Sequence, residues 1–275
     1  MATAPIGIFD SGVGGLSVWR AIHGLIPAQP VIYLADQAHV PYGPRPLAEV
    51  RAFAEGITRF LIGQGARLVV VACNAASAAA LKHLRSTFPE IPFVGMEPAV
   101  KPAAEQTHSG VVGVLATSAT FQGELYASVL ERFAAKVQVL QSPCAGLVGE
   151  IEGGRLHGAR AREILAGALQ PMLAAGVDTI VLGCTHYPFV IPLIQEIAGP
   201  RVRVIDPAPA IARQVQRLLQ ERSLLAPGEV HAPVRFITSG QPGGLALALQ
   251  TLLGIHAPVE GALWSPDDSH LTLIN

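Results

Sequence analysis

Cys73 and Cys184 occupy matching frames. The segments Gly65-Ala-Arg-Leu-Val-Val-Val-Ala-Cys73-Asn and Gly176-Val-Asp-Thr-Ile-Val-Leu-Gly-Cys184-Thr align without gaps at an offset of 111 residues. Each is an apolar run of strand type that ends in a small residue, a cysteine and a hydrogen-bonding residue. A single cysteine with a nearby histidine would suggest a nucleophile for acyl transfer. Two cysteines in equivalent places suggest proton exchange. Racemisation needs a base on one face of a carbon and an acid on the other, and a thiol whose pKa is tuned near neutrality can serve as either. Asp10 and His186, the latter two residues past Cys184, are placed to adjust the two thiols and to accept or relay their protons. For either cysteine alone a buried, inert thiol is the simpler reading, and the pairing reverses it. Cys144, in Gln141-Ser142-Pro143-Cys144-Ala145, lacks such a frame and reads as structural.

Other strand ends carry short polar groups. Asp10-Ser11-Gly12-Val13-Gly14-Gly15-Leu16 leaves a strand and opens a helix, where backbone N–H groups and the helix dipole favour an anionic group. It is not the dinucleotide fingerprint, because the third glycine would fall at Ser17 and no later strand offers the required acidic residue. Thr117, Thr120 and the run Pro41-Tyr42-Gly43 add hydroxyl and backbone donors able to bind a carboxylate or ammonium, and each is equally ordinary turn chemistry.

Positioning these groups requires alternating strands and helices. Short apolar runs at about 5–9, 31–35, 67–72, 92–95, 111–116, 137–140, 178–183, 202–205 and 234–237 alternate with helical stretches such as Leu47 to Gly63 and Ala159 to Ala175, the pattern of βαβ units with parallel strands. A weaker echo pairs Ile6-Gly-Ile-Phe-Asp10-Ser11 with Val112-Gly-Val-Leu-Ala116-Thr117 at an offset of 106. The expectation is an α/β fold of two pseudo-twofold-related, Rossmann-like lobes with parallel-rich sheets and an active site in the cleft between them, at the carboxyl ends of the strands. Glu97-Pro98 and Asp206-Pro207 are the expected crossover points, giving a first lobe of 1–97 with 207–260, a second of 98–206, and a C-terminal tail of 261–275. A single continuous sheet is the competing architecture.

Composition agrees with an enzyme of this class. Half of the 275 residues are apolar, aromatics make up 5%, and the formal net charge is −1 with no basic stripe, which disfavours nucleic acid and anionic membranes as partners. The longest stretch free of Asp, Glu, Lys and Arg, Phe236 to Val259, is interrupted by Thr238, Ser239, Gln241 and Pro242-Gly243-Gly244, so no membrane span is expected. Met1 to Asp10 does not read as a signal peptide, which makes a cytoplasmic location the expectation. Three cysteines without a CxxC pair suggest neither a disulfide framework nor a zinc module.

At these residues the sequence resembles the glutamate racemases of the aspartate/glutamate racemase superfamily, from about Ile6 to Leu253. The matching segments are FDSGVGGL (9–16), PYG (41–43), VVACN (70–74), EPAVKPA (97–103), ATSAT (116–120) and GCTHYP (183–188). No metal-ligand spacing, phosphate fingerprint or Schiff-base lysine motif is apparent, so no metal or cofactor is expected, and the resemblance implies a pyridoxal-independent two-base reaction in which Cys73 deprotonates the D isomer and Cys184 the L isomer of glutamate. It implies that Asp10 assists the first thiol, and that Glu152 and His186 assist the second. Asp10, Ser11, Pro41, Tyr42, Gly43, Asn74, Thr117, Thr120, Thr185 and His186 fall at substrate-binding positions. Ala75 stands where the family carries a substrate-contacting threonine, and Pro46 and Pro207 where serine is common. The resemblance further implies a bacterial cytoplasmic enzyme supplying D-glutamate for peptidoglycan, and a homodimer in several members. Residues from Val259 onward lie beyond it and are expected to add nothing to catalysis.

Overall fold

The computed structural model describes residues 4–97, 99–122, 124–133, 137–228 and 230–274. Met1, the crossover residue Pro98 and the terminal Asn275 lie outside them. The chain forms two compact units, one of residues 1–96 with 208–275 and one of residues 97–207.

The first unit begins β1 (Ile6–Asp10), α1 (Leu16–Leu25), β2 (Val31–Ala35), α2 (Leu47–Gly63), β3 (Leu68–Val71), α3 (Asn74–Thr87) and β4 (Phe93–Gly95). The second contains α4 (Val100–Gln106), β5 (Val111–Ala116), α5 (Ser118–Gln122), α6 (Glu124–Phe133), β6 (Gln138–Ser142), α7 (Leu147–Glu152), α8 (Ala159–Ala174), β7 (Thr179–Gly183), a 3-10 turn Tyr187–Val190, α9 (Ile191–Ala198) and β8 (Arg203–Ile205). The chain then returns to the first unit as α10 (Ala208–Glu221), β9 (Val234–Thr238), α11 (Pro242–Leu253), β10 (Val259–Trp264) and β11 (Leu271–Leu273).

The first sheet has the order β11-β10-β9-β2-β1-β3-β4 and the second β6-β5-β7-β8. All pairings are parallel except that of β10 with β11. The four-strand run β2-β1-β3-β4 therefore has the same order as the whole second sheet. The registers match as well: Ile6 pairs with Leu68, and Val112 with Thr179, which are the same positions under the two sequence offsets. β1, β2 and β3 are buried along their whole length, as parallel strands covered on both faces require.

The same device launches both cysteine strands. Gly65 and Gly176 follow the last turns of α2 and α8 with φ of +95° and +84°, a left-handed conformation that costs glycine little. Each donates its N–H to the carbonyl three residues back, and the next residue donates to the carbonyl five back: Ala66 to Leu61, and Val177 to Met172, both at 3.0 Å. These are Schellman closures, and they send the chain from helix end into β3 and β7 at a defined angle.

The end of the chain is a correction to the expected separate tail of 261–275. β10 extends the first sheet by pairing with β9, β11 closes it antiparallel, and Ala262, Leu271, Trp264 and Leu273 pack into the core beneath α2. The physical reason is the edge of β9, along which β10 pairs, together with the side chains of Ala262 and Trp264 in β10 and of Leu271 and Leu273 in β11, which pack into the core. No helix among the described residues is long and apolar enough to cross a membrane.

Candidate active site

The first thiol sits where β3 turns into α3. Cys73 has extended backbone angles and occupies the N-cap of α3, where its Sγ accepts the Ala76 N–H at 3.5 Å. Serine or aspartate usually fills that position, so the sulfur stands in the field of the helix N-terminus. On its other side Sγ lies 3.6 Å from the Ser11 hydroxyl, which donates in turn to Asp10 Oδ1 at 3.3 Å. Asp10 ends β1, is fully buried, and accepts the N–H groups of Ser11, at 2.7 Å, and Gly15. Gly15 has to be glycine for this approach: a Cβ there would lie 2.8 Å from the Asp10 Cβ and 3.1 Å from that of Ala72.

These neighbours set the state of the thiol. Burial, followed by the negative charge of Asp10, pushes Cys73 well above the ordinary thiol range, and the N–H groups of Ala76 and Ser11 with the Ser11 hydroxyl offset this only in part. Cys73 thus rests as a protonated donor connected to a carboxylate through Ser11.

The second thiol has different company. Cys184 follows β7 directly, and its Sγ lies 3.7 Å from His186 Nδ1, while His186 Nε2 lies 2.8 Å from Glu152 Oε1 at the end of α7. A carboxylate only accepts, so Glu152 accepts a hydrogen bond from Nε2–H, and a neutral ring held this way turns its Nδ1 lone pair toward the thiol. This is the oriented base beside a nucleophile or proton carrier. Gly183, before the cysteine, leaves no room for a side chain: a Cβ would meet Ala116 Cβ at 2.8 Å. Thr120 Oγ1 lies 3.1 Å from Thr117 Oγ1 and donates to the Gly183 carbonyl at 3.4 Å, binding the end of β5 to the end of β7. Thr185 is buried beside Cys184.

Asn74, next to Cys73, is buried with neither its amide oxygen nor its amide nitrogen hydrogen-bonded within the described chain. An unmade hydrogen bond on a buried amide costs about 1–3 kcal/mol, which a bound polar group would recover. Ala75, in the first turn of α3, packs against the core below it and has no polar side-chain atom to offer. Cys144 is buried, with its thiol pushed up to about 11 by burial.

Tyr42 packs in the same apolar cluster as Cys73, while Pro41 is exposed and Gly43 half-buried. The Tyr42 hydroxyl donates to Asp36 Oδ2 at 2.6 Å, so its proton is committed inside the protein. Asp36 is a residue that sequence reasoning missed. It is fully buried and also accepts from Ser239 Oγ, Trp264 Nε1 and His39 Nδ1 at 2.6, 2.7 and 2.9 Å. A buried carboxylate without partners would cost several kcal/mol, whereas four donors fill its acceptor sites. No cluster of three or more His, Cys, Asp or Glu able to hold a metal ion occurs among the described residues.

Comparison with known proteins agrees with this chemistry. The sequence model of the family described as Asp/Glu/Hydantoin racemase matches residues 14–215. A glutamate racemase of Pseudomonas paraeruginosa is 51% identical over 252 residues, covering 92% of this chain and 95% of the relative, and one of Roseiflexus is 49% identical over 90% and 92%. Among solved structures, Escherichia coli glutamate racemase in complex with L-glutamate superposes with a TM-score of 0.82 at 32% identity, covering 99% of this chain and all of that one. Francisella tularensis glutamate racemase in complex with D-glutamate superposes with a TM-score of 0.81 at 29% identity, over 96% and 98%. With thiols at two equivalent strand ends, each coupled to its own acid–base partners, and with these matches spanning most of its length, the chain belongs to the Asp/Glu/Hydantoin racemase family.

Proposed function

We propose that the protein interconverts L- and D-glutamate by two-thiol proton transfer, without a cofactor. The observation that carries this reading is the equivalence of Cys73 and Cys184 under matched strand order and register, combined with their unlike partners: Ser11 and Asp10 for one, His186 and Glu152 for the other. Glutamate is supported by the relatives, which are glutamate racemases, and by the solved relatives carrying each enantiomer.

Starting from L-glutamate, His186 takes the Cys184 proton and the resulting thiolate removes the α-hydrogen. The electron pair stays on the α-carbon, delocalised into the carboxylate, and the Cys73 S–H returns a proton on the other face. Starting from D-glutamate, the Cys73 proton passes by way of the Ser11 hydroxyl to Asp10, the thiolate removes the α-hydrogen, and the Cys184 S–H returns a proton on the other face. Cys73 then needs its thiolate form, which the charge of Asp10 opposes in the free protein; the ammonium group of a bound substrate beside Asp10 would relieve that opposition. Asn74 offers its unpaired amide to the substrate, and Ser11, Thr117, Thr120, Thr185 and the Pro41–Gly43 backbone offer further polar contacts. The D-glutamate formed would supply peptidoglycan synthesis in the cytoplasm.

The experiment is a racemisation assay from each pure enantiomer of glutamate, after dialysis against chelator. Turnover is expected in both directions, and loss of nearly all of it in both Cys73→Ala and Cys184→Ala, with Cys144→Ala active. Substantial racemisation by either of the first two variants would overturn the mechanism. Equal or better turnover of aspartate would overturn the substrate.

A further inference from the structure

We propose that Asp36 and Trp264 are positioning residues, through which the C-terminal strand pair holds the Pro41–Tyr42–Gly43 segment in its substrate-binding form. The inference rests on the glutamate racemase reading for its kinetic consequences, but its geometry is independent of the substrate.

Tyr42 cannot both donate its hydroxyl proton to Asp36 and offer it to a ligand. What the 41–43 segment contributes is therefore its backbone, and the backbone is only as well placed as the Tyr42 ring. That ring is fixed at its tip by Asp36 and along its side by Phe53, with centroids 5.8 Å apart. Asp36 is in turn fixed from two distant parts of the chain, by Ser239 after β9 and by the indole N–H of Trp264 at the end of β10.

Trp264 is itself seated by design of the neighbouring helix. Gly56 lies in the middle of α2, where glycine costs about 1 kcal/mol relative to alanine. A Cβ there would come within 2.7 and 2.9 Å of the Trp264 ring carbons. The helix thus gives up propensity where the indole lies against it, next to the Phe53 ring of the same helix. The result is a continuous chain of contacts from α2 and β10 through Asp36 to Tyr42, and Tyr42 shares its packed cluster with Cys73.

Trp264→Phe keeps most of the ring packing and removes the N–H, while Tyr42→Phe removes the other donor to the same carboxylate. For each, KM for glutamate is expected to rise about tenfold with kcat changed less than threefold, since lost positioning of a binding segment weakens ground and transition states alike. The double variant should fall well short of the product of the two effects, because both act through Asp36. Leu219→Ala, on α10, is the control for a general loss of stability and should leave KM unchanged. A second readout needs no turnover: with Tyr42 released, Cys73 should alkylate with iodoacetamide several times faster in Trp264→Phe, in a Cys144→Ala, Cys184→Ala background. Unchanged KM and unchanged alkylation, or effects no larger than those of Leu219→Ala, would overturn the proposal. Faster alkylation in a protein that does not racemise glutamate would uphold the positioning role and reject the substrate assignment alone.

Discussion

His186 receives Glu152 at Nε2, at 2.8 Å, and faces Cys184 with Nδ1, at 3.7 Å. The carboxylate decides which ring nitrogen turns its lone pair to the thiol proton. Glu152→Gln can present its amide N–H₂ to Nε2 and so favour the tautomer with hydrogen on Nδ1. Turnover from L-glutamate should then fall by about a hundredfold, the lower range for general base catalysis. Initial rates from the two enantiomers, measured separately, check this. A loss below threefold would remove Glu152 from the mechanism.

Asp10 raises the thiol of Cys73 by its charge, but burial is the larger cause. Asp10→Asn should therefore lower the pH at which Cys73 becomes reactive without bringing it down to that of an exposed cysteine. The iodoacetamide rate against pH, in a Cys144→Ala, Cys184→Ala background, reads this directly. A profile unmoved or shifted upward would show that Asp10 does not act on the thiol electrostatically.

His39 links Asp36 to Asp268, with its ring stacked on Phe53 at a centroid distance of 3.8 Å. Burial works against a charged ring here and Arg45 adds repulsion, yet the hydrogen bond and charge of Asp36, helped by Asp268, raise its pKa above 6.5. A raised folded-state pKa gives stability that is complete below the unfolded value and lost as pH rises through the folded one. The melting temperature of the protein should thus fall relative to that of His39→Gln as pH rises above about 6.5. Parallel curves for the two proteins would count against a charged His39.

How much of this was legible in the sequence follows from the range of each interaction. The helix at Leu47–Gly63 and the strand at Val31–Ala35 declare themselves through local periodicity, and the structure has both at those bounds. Cys73, Cys184 and their neighbours stood out because a repeated frame is visible without knowing any contact. Asp36 did not. Its partners Ser239 and Trp264 lie 203 and 228 residues away, and beside an apolar strand it looks like an ordinary turn residue. β10 and β11 were missed for a related reason. β11 spans three residues, Gly261 and Glu260 break the apolar pattern of β10, and the pairing partners of both are set by the sheet rather than by their own pattern.

In the proposed mechanism one thiol removes the α-hydrogen while a different thiol supplies the other face. It is tested most directly by single-enantiomer glutamate in D2O, with deuterium at the α-carbon followed in both substrate and product during the first few per cent of conversion. Two separate proton carriers predict product that carries solvent deuterium while the remaining substrate stays protiated, in both directions and without added cofactor. Substrate and product labelled at equal rates, or product retaining the original hydrogen, would mean that a single base serves both faces and would contradict the assignment of Cys73 and Cys184.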